Sequence, residues 1–185
     1  MRLIRTDRLL MREPTMADLP AMVTVHADPA ASVFRPEGAR TPQECRTQLA
    51  DMVGRWRSEG FCYWIIESDN GLVGFGGLAM CDLDSEPYLN LYFRFVPGAW
   101  GHGYATEMTT AALDLASRRW PDTPVWIVTS AENRPALRIA EKFGFQPIPS
   151  PDPDDTYWVY YQWRGNGVGT PGATKSTSES STNSA

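Results

Sequence analysis

A segment with two closely spaced glycines joins a predicted strand to a predicted helix and has the composition of an anion site. It reads Trp100-Gly101-His102-Gly103-Tyr104-Ala105-Thr106-Glu107. Glycine lets the backbone adopt positive φ and lets a ligand approach it closely. The unpaired N–H groups at the start of the helix lie at the positive end of its dipole. These features favour a pyrophosphate ligand, and the alternative is a tight connection that binds nothing.

Two familiar phosphate loops do not fit this segment. The chain contains no GxxxxGK(S/T), and the segment lacks the third glycine of GxGxxG. The diphosphate-bearing ligand class that remains of interest is coenzyme A.

The elements around the segment alternate between strand and helix patterns. Strands are predicted over residues 8–12, 61–67, 72–80, 89–96, 125–129 and 156–163. Helices are predicted over residues 15–26, 41–60, 104–119 and 134–143. This order predicts an α/β (α+β) fold with helices inserted into a mixed, largely antiparallel sheet.

Composition limits the classes of protein to consider. We expect one domain over residues 1–164 and a disordered Gly/Ser/Thr-rich tail over residues 165–185. A net charge of -5 without Lys/Arg clusters argues against nucleic-acid binding. The three cysteines have neither CxxC spacing nor a nearby histidine, so we expect no metal site and a reducing, cytoplasmic location. No apolar run predicts a membrane span.

The glycine segment is similar to the pyrophosphate loop of the GNAT superfamily of N-acetyltransferases, whose pattern is Q/R-x-x-G-x-G/A, with Trp100 in place of the usual Gln or Arg. The sequence pattern WGxGYATE resembles that of the branch that acetylates the N-terminal alanine of ribosomal proteins. A second similarity comprises Asn133-Arg134-Pro135-Ala136-Leu137 and then Glu141-Lys142-Phe143-Gly144-Phe145, and a third comprises Leu9-Leu10-Met11-Arg12 with Asp18. The resemblance covers residues 3–164 and implies a sheet that splays between the fourth and fifth predicted strands.

The resemblance also implies acetyl-CoA as the co-substrate. Its pantetheine arm would enter the splay and hydrogen-bond the strand edge at Phe93 and Phe95. Its pyrophosphate would lie on the loop, at Trp100, Gly101, His102, Gly103, Tyr104, Ala105 and Thr106. Asn133 would contact the pantetheine or position the acceptor, and a plain N-cap role is compatible with this. Arg138 would reach the ribose phosphate unless it only forms a solvated helix face.

The catalytic groups of many GNAT relatives are missing from this chain. Acylation needs a neutral amine, so a base or proton wire is useful. Many relatives carry a Glu at the position of Asn90, and a Tyr or a Ser at the positions of Ala140 and Ala136. Asn90 can therefore only orient an amine or a water. Tyr92 is a candidate proton relay, and Glu86 is a candidate base acting through water.

The acceptor would be a primary amine, either a peptide N-terminus or a small molecule. Strand alternation places Asn90, Tyr92 and Arg94 on one face, where Arg94 could bind a carboxylate; contact with an overlying helix or with solvent is the alternative. Phe34 and Arg35 lie in a loop where relatives build the acceptor pocket, although Phe34 could simply cap the core. No nucleic-acid or membrane partner is expected, and a homodimer is left open. An alternative function is an acyl-CoA-binding module that has lost transferase activity.

Overall fold

The computed structural model describes residues 3–165, which contain an eight-stranded sheet. The strands are β1 (Leu3–Arg5), β2 (Leu9–Arg12), β3 (Trp64–Ser68), β4 (Gly71–Leu83), β5 (Glu86–Phe95), β6 (Val125–Ser130), β7 (Gln146–Ile148) and β8 (Trp158–Trp163). Their order across the sheet is β1-β2-β3-β4-β5-β6-β8-β7. The pair β5–β6 is parallel and the other neighbours are antiparallel. The mixed, largely antiparallel sheet is the one predicted.

Four helices cover the sheet: α1 (Leu19–His26), α2 (Pro42–Ser58), α3 (Tyr104–Arg119) and α4 (Arg134–Lys142). Helices α1 and α2 pack together on one face, while α3 contacts β4 and β5 from the other and α4 lies beside it. Within the described residues, no helix is long and apolar enough to cross a membrane.

Helix α2 shows how local sequence fixes an element. Thr41 accepts a hydrogen bond from the Glu44 N–H, and the Glu44 carboxylate accepts one from the Thr41 N–H, which together form a capping box. The helix buries residues at helical spacing: Cys45, Leu49, Met52, Val53 and Trp56. Gly60, at φ +74°, follows its end. The sequence predicts a helix over residues 41–60, and the observed helix lies within these bounds.

Short elements at the edges escaped prediction. Strands β1 and β7 have three residues each, too few to show a pattern. The sequence predicts this strand only from residue 89, but β5 begins three residues earlier and pairs with β4 as far as Leu83↔Glu86. Asp84 and Ser85 make this tight hairpin at φ 51° and 70°. The predicted tail lies outside the described residues except for Gly165.

The third sequence similarity, Leu9-Leu10-Met11-Arg12 with Asp18, contains a structural ion pair. The Arg12 guanidinium donates to both oxygens of Asp18, at 2.7 and 3.0 Å, and to Glu67 at 3.2 Å. These bonds tie β2 to the entry of α1 and to β3. Although burial works in the opposite direction, the bonds from Arg12 and Thr15 hold the pKa of Asp18 below its ordinary value.

Candidate active site

A gap opens in the sheet between β5 and β6. The two strands pair only at Leu89↔Val125 and Asn90↔Trp126. The Leu89 N–H donates toward β6, to the Pro124 carbonyl at 2.9 Å, whereas the Val96 N–H donates toward β4, to Val73 at 3.0 Å. By strand alternation, the N–H and C=O groups of Phe93 and Phe95 point toward the gap, beyond the last paired residues. The sheet therefore presents a strand edge there that no neighbouring strand pairs with, as the predicted splay requires.

This gap is part of a cleft of about 910 Å³, within the ~300–1,000 Å³ typical of small-molecule sites. On the α3–α4 face it is lined by the glycine loop and by α4. On the α1–α2 face it is lined by Ala30, Ala31, Val33 and Phe34, which follow α1. The cleft thus passes through the sheet, with the exposed edge of β5 between its two openings.

The glycine loop has the backbone conformation that its sequence predicts. Gly101 and Gly103 both adopt φ +78°, in the left-handed region that favours glycine. Gly103 is the N-cap of α3, and no side chain caps the helix. The first amides of α3 are therefore available to an anion at the edge of the cleft.

Side chains outside the cleft hold this loop in place. Arg8 donates to the His102 carbonyl at 2.8 Å and to the Glu107 carboxylate at 2.7 Å. Glu107 also accepts from the Thr6 hydroxyl at 2.5 Å. Although burial works against it, these bonds keep the pKa of Glu107 below its usual value. The last residue of the WGHGYATE segment is therefore an anchor for the loop and leaves the cleft free of its charge.

Helix α4 contributes the opposite wall of the α3–α4 opening. The Asn133 side chain accepts from the Ala136 N–H at 3.3 Å and donates to the Thr129 hydroxyl at 2.9 Å. Asn133 is thus an N-cap that also faces the cleft. Arg138 and Lys142 line the same wall, and the Lys142 ammonium lies 3.5 Å from the Thr106 hydroxyl.

Most of the residues proposed for cofactor binding line one cleft together: Phe93, Phe95, Trp100, Gly101, Gly103, Tyr104, Ala105, Thr106, Asn133 and Arg138. His102 does not line it. Its Nδ1 lies 2.8 Å from the Trp100 carbonyl, and its ring stacks on Tyr104 with centroids 5.5 Å apart. The Trp100 indole donates to the Phe95 carbonyl at 3.0 Å, so it covers part of the strand edge.

The residues proposed for the acceptor side are only partly brought together. Phe34, Tyr92 and Arg94 line the cleft, whereas Arg35 turns away to pair with Glu37 at 3.1 Å. Asn90 is outside the cleft lining and donates to the Tyr63 hydroxyl at 2.6 Å. Asn90 therefore contacts Tyr63, which lies just before β3, and neither the overlying helix nor solvent of the alternative describes this contact.

Glu86 lies apart from all of them. It is the first residue of β5, exposed, and it lines a separate cavity beside Tyr88 and Asp122. Phe93 lies seven positions further along the strand, a distance of roughly 23 Å. The structure does not bring this carboxylate to the cleft.

Tyr92 contacts α1 through a buried histidine that sequence reasoning did not assign to the site. His26 Nδ1 lies 3.2 Å from the Met22 carbonyl, which can only accept, so this nitrogen carries the proton. The Nε2 atom is then an acceptor for the Tyr92 hydroxyl at 2.9 Å. Burial, followed by the charges of Arg94 and Arg40, lowers the pKa of His26 to about 3. Burial also raises the pKa of Tyr92.

The charge of the cleft is one-sided. Its lining includes Arg94, Arg138 and Lys142, and among the described residues no Asp, Glu or His lines it. Sequence reasoning did not identify Lys142, His26 or Arg40 as parts of this region. Lys142 stands in the E-K-x-G-F similarity, which was a usable signal; a lone histidine and a loop arginine gave none.

The cleft therefore combines an open strand edge with a helix N-terminus and a cationic wall. A protein-family model described as an acetyltransferase (GNAT) domain matches residues 8–146, so the chain belongs to the GNAT acetyltransferase family. This confirms the resemblance. GNAT acetyltransferases use acetyl-CoA, which is therefore the co-substrate.

Solved structures of this fold include several acetyltransferases. One from Agrobacterium tumefaciens is 24% identical at a TM-score of 0.75, covering 88% of this chain and 94% of that one. The ribosomal-protein-S5-alanine acetyltransferase from Vibrio fischeri is 9% identical at 0.71, covering 89% and 97%. The ribosomal L7/L12 α-N-protein acetyltransferase RimL in complex with coenzyme A is 14% identical at 0.68, covering 88% and 97%.

Proposed function

We propose that this protein is a cytoplasmic N-acetyltransferase that moves the acetyl group of acetyl-CoA to a primary amine by direct attack on the thioester. The observation that carries the proposal is the gap between β5 and β6, which joins a cofactor opening to an acceptor opening across an unpaired strand edge. Three free cysteines are consistent with a reducing compartment.

The lining residues fit the cofactor. Bound there, acetyl-CoA supplies a thioester carbonyl for attack. The amides of the glycine loop and of the first turn of α3 would bind its pyrophosphate, and Arg138 and Lys142 would lie near its phosphates. The Phe93 N–H, which faces the gap, would donate to the oxygen that becomes negative in the transition state.

Proton transfer is where this chain departs from its relatives. The Tyr92 hydroxyl already donates to His26, and the low pKa of His26 makes it a poor base. With no carboxylate or imidazole lining the described cleft, the amine would lose its proton to water. Tyr92 can accept a hydrogen bond from the amine and orient it, but it does not remove the proton.

The lack of a carboxylate or imidazole in the described cleft lining also favours a second candidate, an acyl-CoA-binding module without transferase activity. Both candidates predict that acetyl-CoA raises the melting temperature of the protein. Only the enzyme releases free thiol when offered acetyl-CoA and a panel of primary amines. Thermal stabilisation without thiol release from any amine would favour the binding module, and absence of stabilisation would contradict both.

A further inference from the structure

Two arginines at or near the acceptor opening have no acidic partner. Arg94 lines the cleft, and its Nη1 donates to the neutral Ser32 hydroxyl at 3.0 Å. Arg40 is half-buried, and its backbone N–H donates to the His26 carbonyl at 2.9 Å. The charges of both arginines act on His26 and on Tyr92, which places them around the same hydrogen-bonded pair. Within the described residues, neither forms an ion pair with a carboxylate.

The acidic residues in this region are occupied elsewhere. Glu37 pairs with Arg35 at 3.1 Å. Glu44 is exposed and accepts from the N–H and the hydroxyl of Thr41, at 2.7 and 2.9 Å, in the capping box of α2. The unpaired positive charge is therefore a property of this pocket, which an incoming anion would neutralise.

Isolated cations are costly to desolvate, and half-buried arginines normally have carboxylate partners. Elsewhere in this chain, half-buried Arg12 and Arg55 follow that rule: Arg12 binds Asp18 and Glu67, and Arg55 binds Glu59. Arg94, which lines the cleft, and Arg40, whose charge acts on His26 and Tyr92, depart from this rule. A planar guanidinium is also the side chain best suited to binding a carboxylate through two parallel hydrogen bonds.

We infer that the amine acceptor carries a carboxylate in the same molecule, and that Arg94, supported by Arg40, binds it on the α1–α2 side of the sheet. Arg94 directly follows Phe93, whose N–H faces the gap. By strand alternation, the Arg94 side chain projects from the face of the sheet opposite to that of the Phe93 side chain. An amine at the thioester would thus hold its carboxylate within reach of the guanidinium. This inference rests on the proposed function and narrows its substrate class.

A polycationic acceptor is the opposite expectation, because the protein has a net charge of -5. Local charge decides between them at contact distance, since salt screens exposed charges beyond about 8–10 Å. On the acceptor side the cleft lining carries the cation of Arg94 and, among the described residues, no anion. A polyamine would therefore meet repulsion where it has to bind.

The test measures binding of acetylated products, with and without coenzyme A, so that it does not depend on turnover. Two matched pairs are titrated by ligand-observed NMR: N-acetyl-phenylalanine against its amide, and N-acetyl-Ser-Glu-Phe amide against N-acetyl-Ser-Gln-Phe amide. We expect the acidic member of one pair to bind at least about tenfold more tightly, as for a charge-assisted hydrogen bond. The pair that shows the preference distinguishes a free amino acid from a peptide with an acidic side chain.

Variants assign the preference to Arg94. In Arg94→Gln the preference should disappear, and in Arg94→Lys, which keeps the charge without the planar geometry, it should be intermediate. The control is Arg46→Gln, which removes an exposed charge on α2 and should leave the preference unchanged. Equal binding within both pairs, tighter binding of the amides, or a preference that survives Arg94→Gln would overturn the inference. Failure of the proposed function would instead show as a lack of thiol release from every amine.

Discussion

The two openings of the cleft are built in different ways. On the α3–α4 side the binding groups are mainly backbone, namely the amides of the glycine loop and the edge of β5, supported by Asn133. On the α1–α2 side they are side chains, and Tyr92 and Arg94 are held by His26 and Ser32 from a separate part of the chain. A backbone site constrains residue type and spacing locally. A side-chain site depends on residues that only the fold brings together.

The largest effect should come from a charge on the backbone side. Gly101→Asp places a carboxylate at the pyrophosphate loop, and we expect acetyl-CoA affinity to fall at least about 30-fold, or about 2 kcal/mol. Gly101→Asn is the matched control, because Asp and Asn both tolerate the φ of +78°. An added Cβ at Gly101 meets nothing within 4 Å, whereas one at Gly103 lies 3.5 Å from Arg8. Calorimetric titration that finds equal affinities in the two variants would contradict the assigned phosphate site.

On the acceptor side, the pH dependence of activity should follow the substrate. Because no titratable base lines the described cleft and His26 has a pKa of about 3, kcat/KM should rise about tenfold per pH unit up to the pKa of the amine. Amines of different pKa should shift the profile accordingly. An inflection of the kcat/KM profile between pH 6 and 7 that stays fixed when the amine changes would instead reveal a base on the enzyme.

Variants of Asn133, on the α4 wall, can separate its role as an N-cap from its role in binding the cofactor. Asn133→Ala should destabilise the protein by about 1 kcal/mol through loss of the N-cap. Asn133→Asp can still accept from the Ala136 N–H and should retain stability, while its charge weakens acetyl-CoA binding. Denaturant unfolding and cofactor titration measure the two effects. If Asn133→Asp binds acetyl-CoA as tightly as the unaltered protein, the residue is only a cap.

The last prediction concerns the stability of the protein at acidic pH, where His26 titrates. Its folded pKa of about 3 lies below the unfolded value near 6.5, so between these pH values the unfolded chain binds more protons. Stability should therefore fall as pH decreases from about 6.5 toward 3, by up to about 1.4 kcal/mol per pH unit from this residue. His26→Gln should show a shallower slope in denaturant unfolding across the same window. Equal slopes would show that His26 is protonated in the folded protein.

Sequence reasoning succeeded where chemistry resides in consecutive residues. The loop glycines, the Asn133 helix start and the capping box of α2 each imply their local geometry. It failed where partners are distant in the chain. His26 and Tyr92 are 66 residues apart, and their contact depends on how α1 packs on β5. Glu86 was a plausible base when residues 82–86 were expected to form a loop, but the β4–β5 hairpin carries it away from the cleft.

The central claim is that the two openings meet at the edge of β5, and a crystal structure with coenzyme A bound tests it most directly. We expect the pyrophosphate on the amides of residues 101–106 and the sulfur in the β5–β6 gap, within about 4 Å of the Phe93 N–H. Arg94 and Tyr92 should then face the sulfur from the other side of the sheet. A pyrophosphate bound elsewhere, or a sulfur outside the gap, would contradict the account.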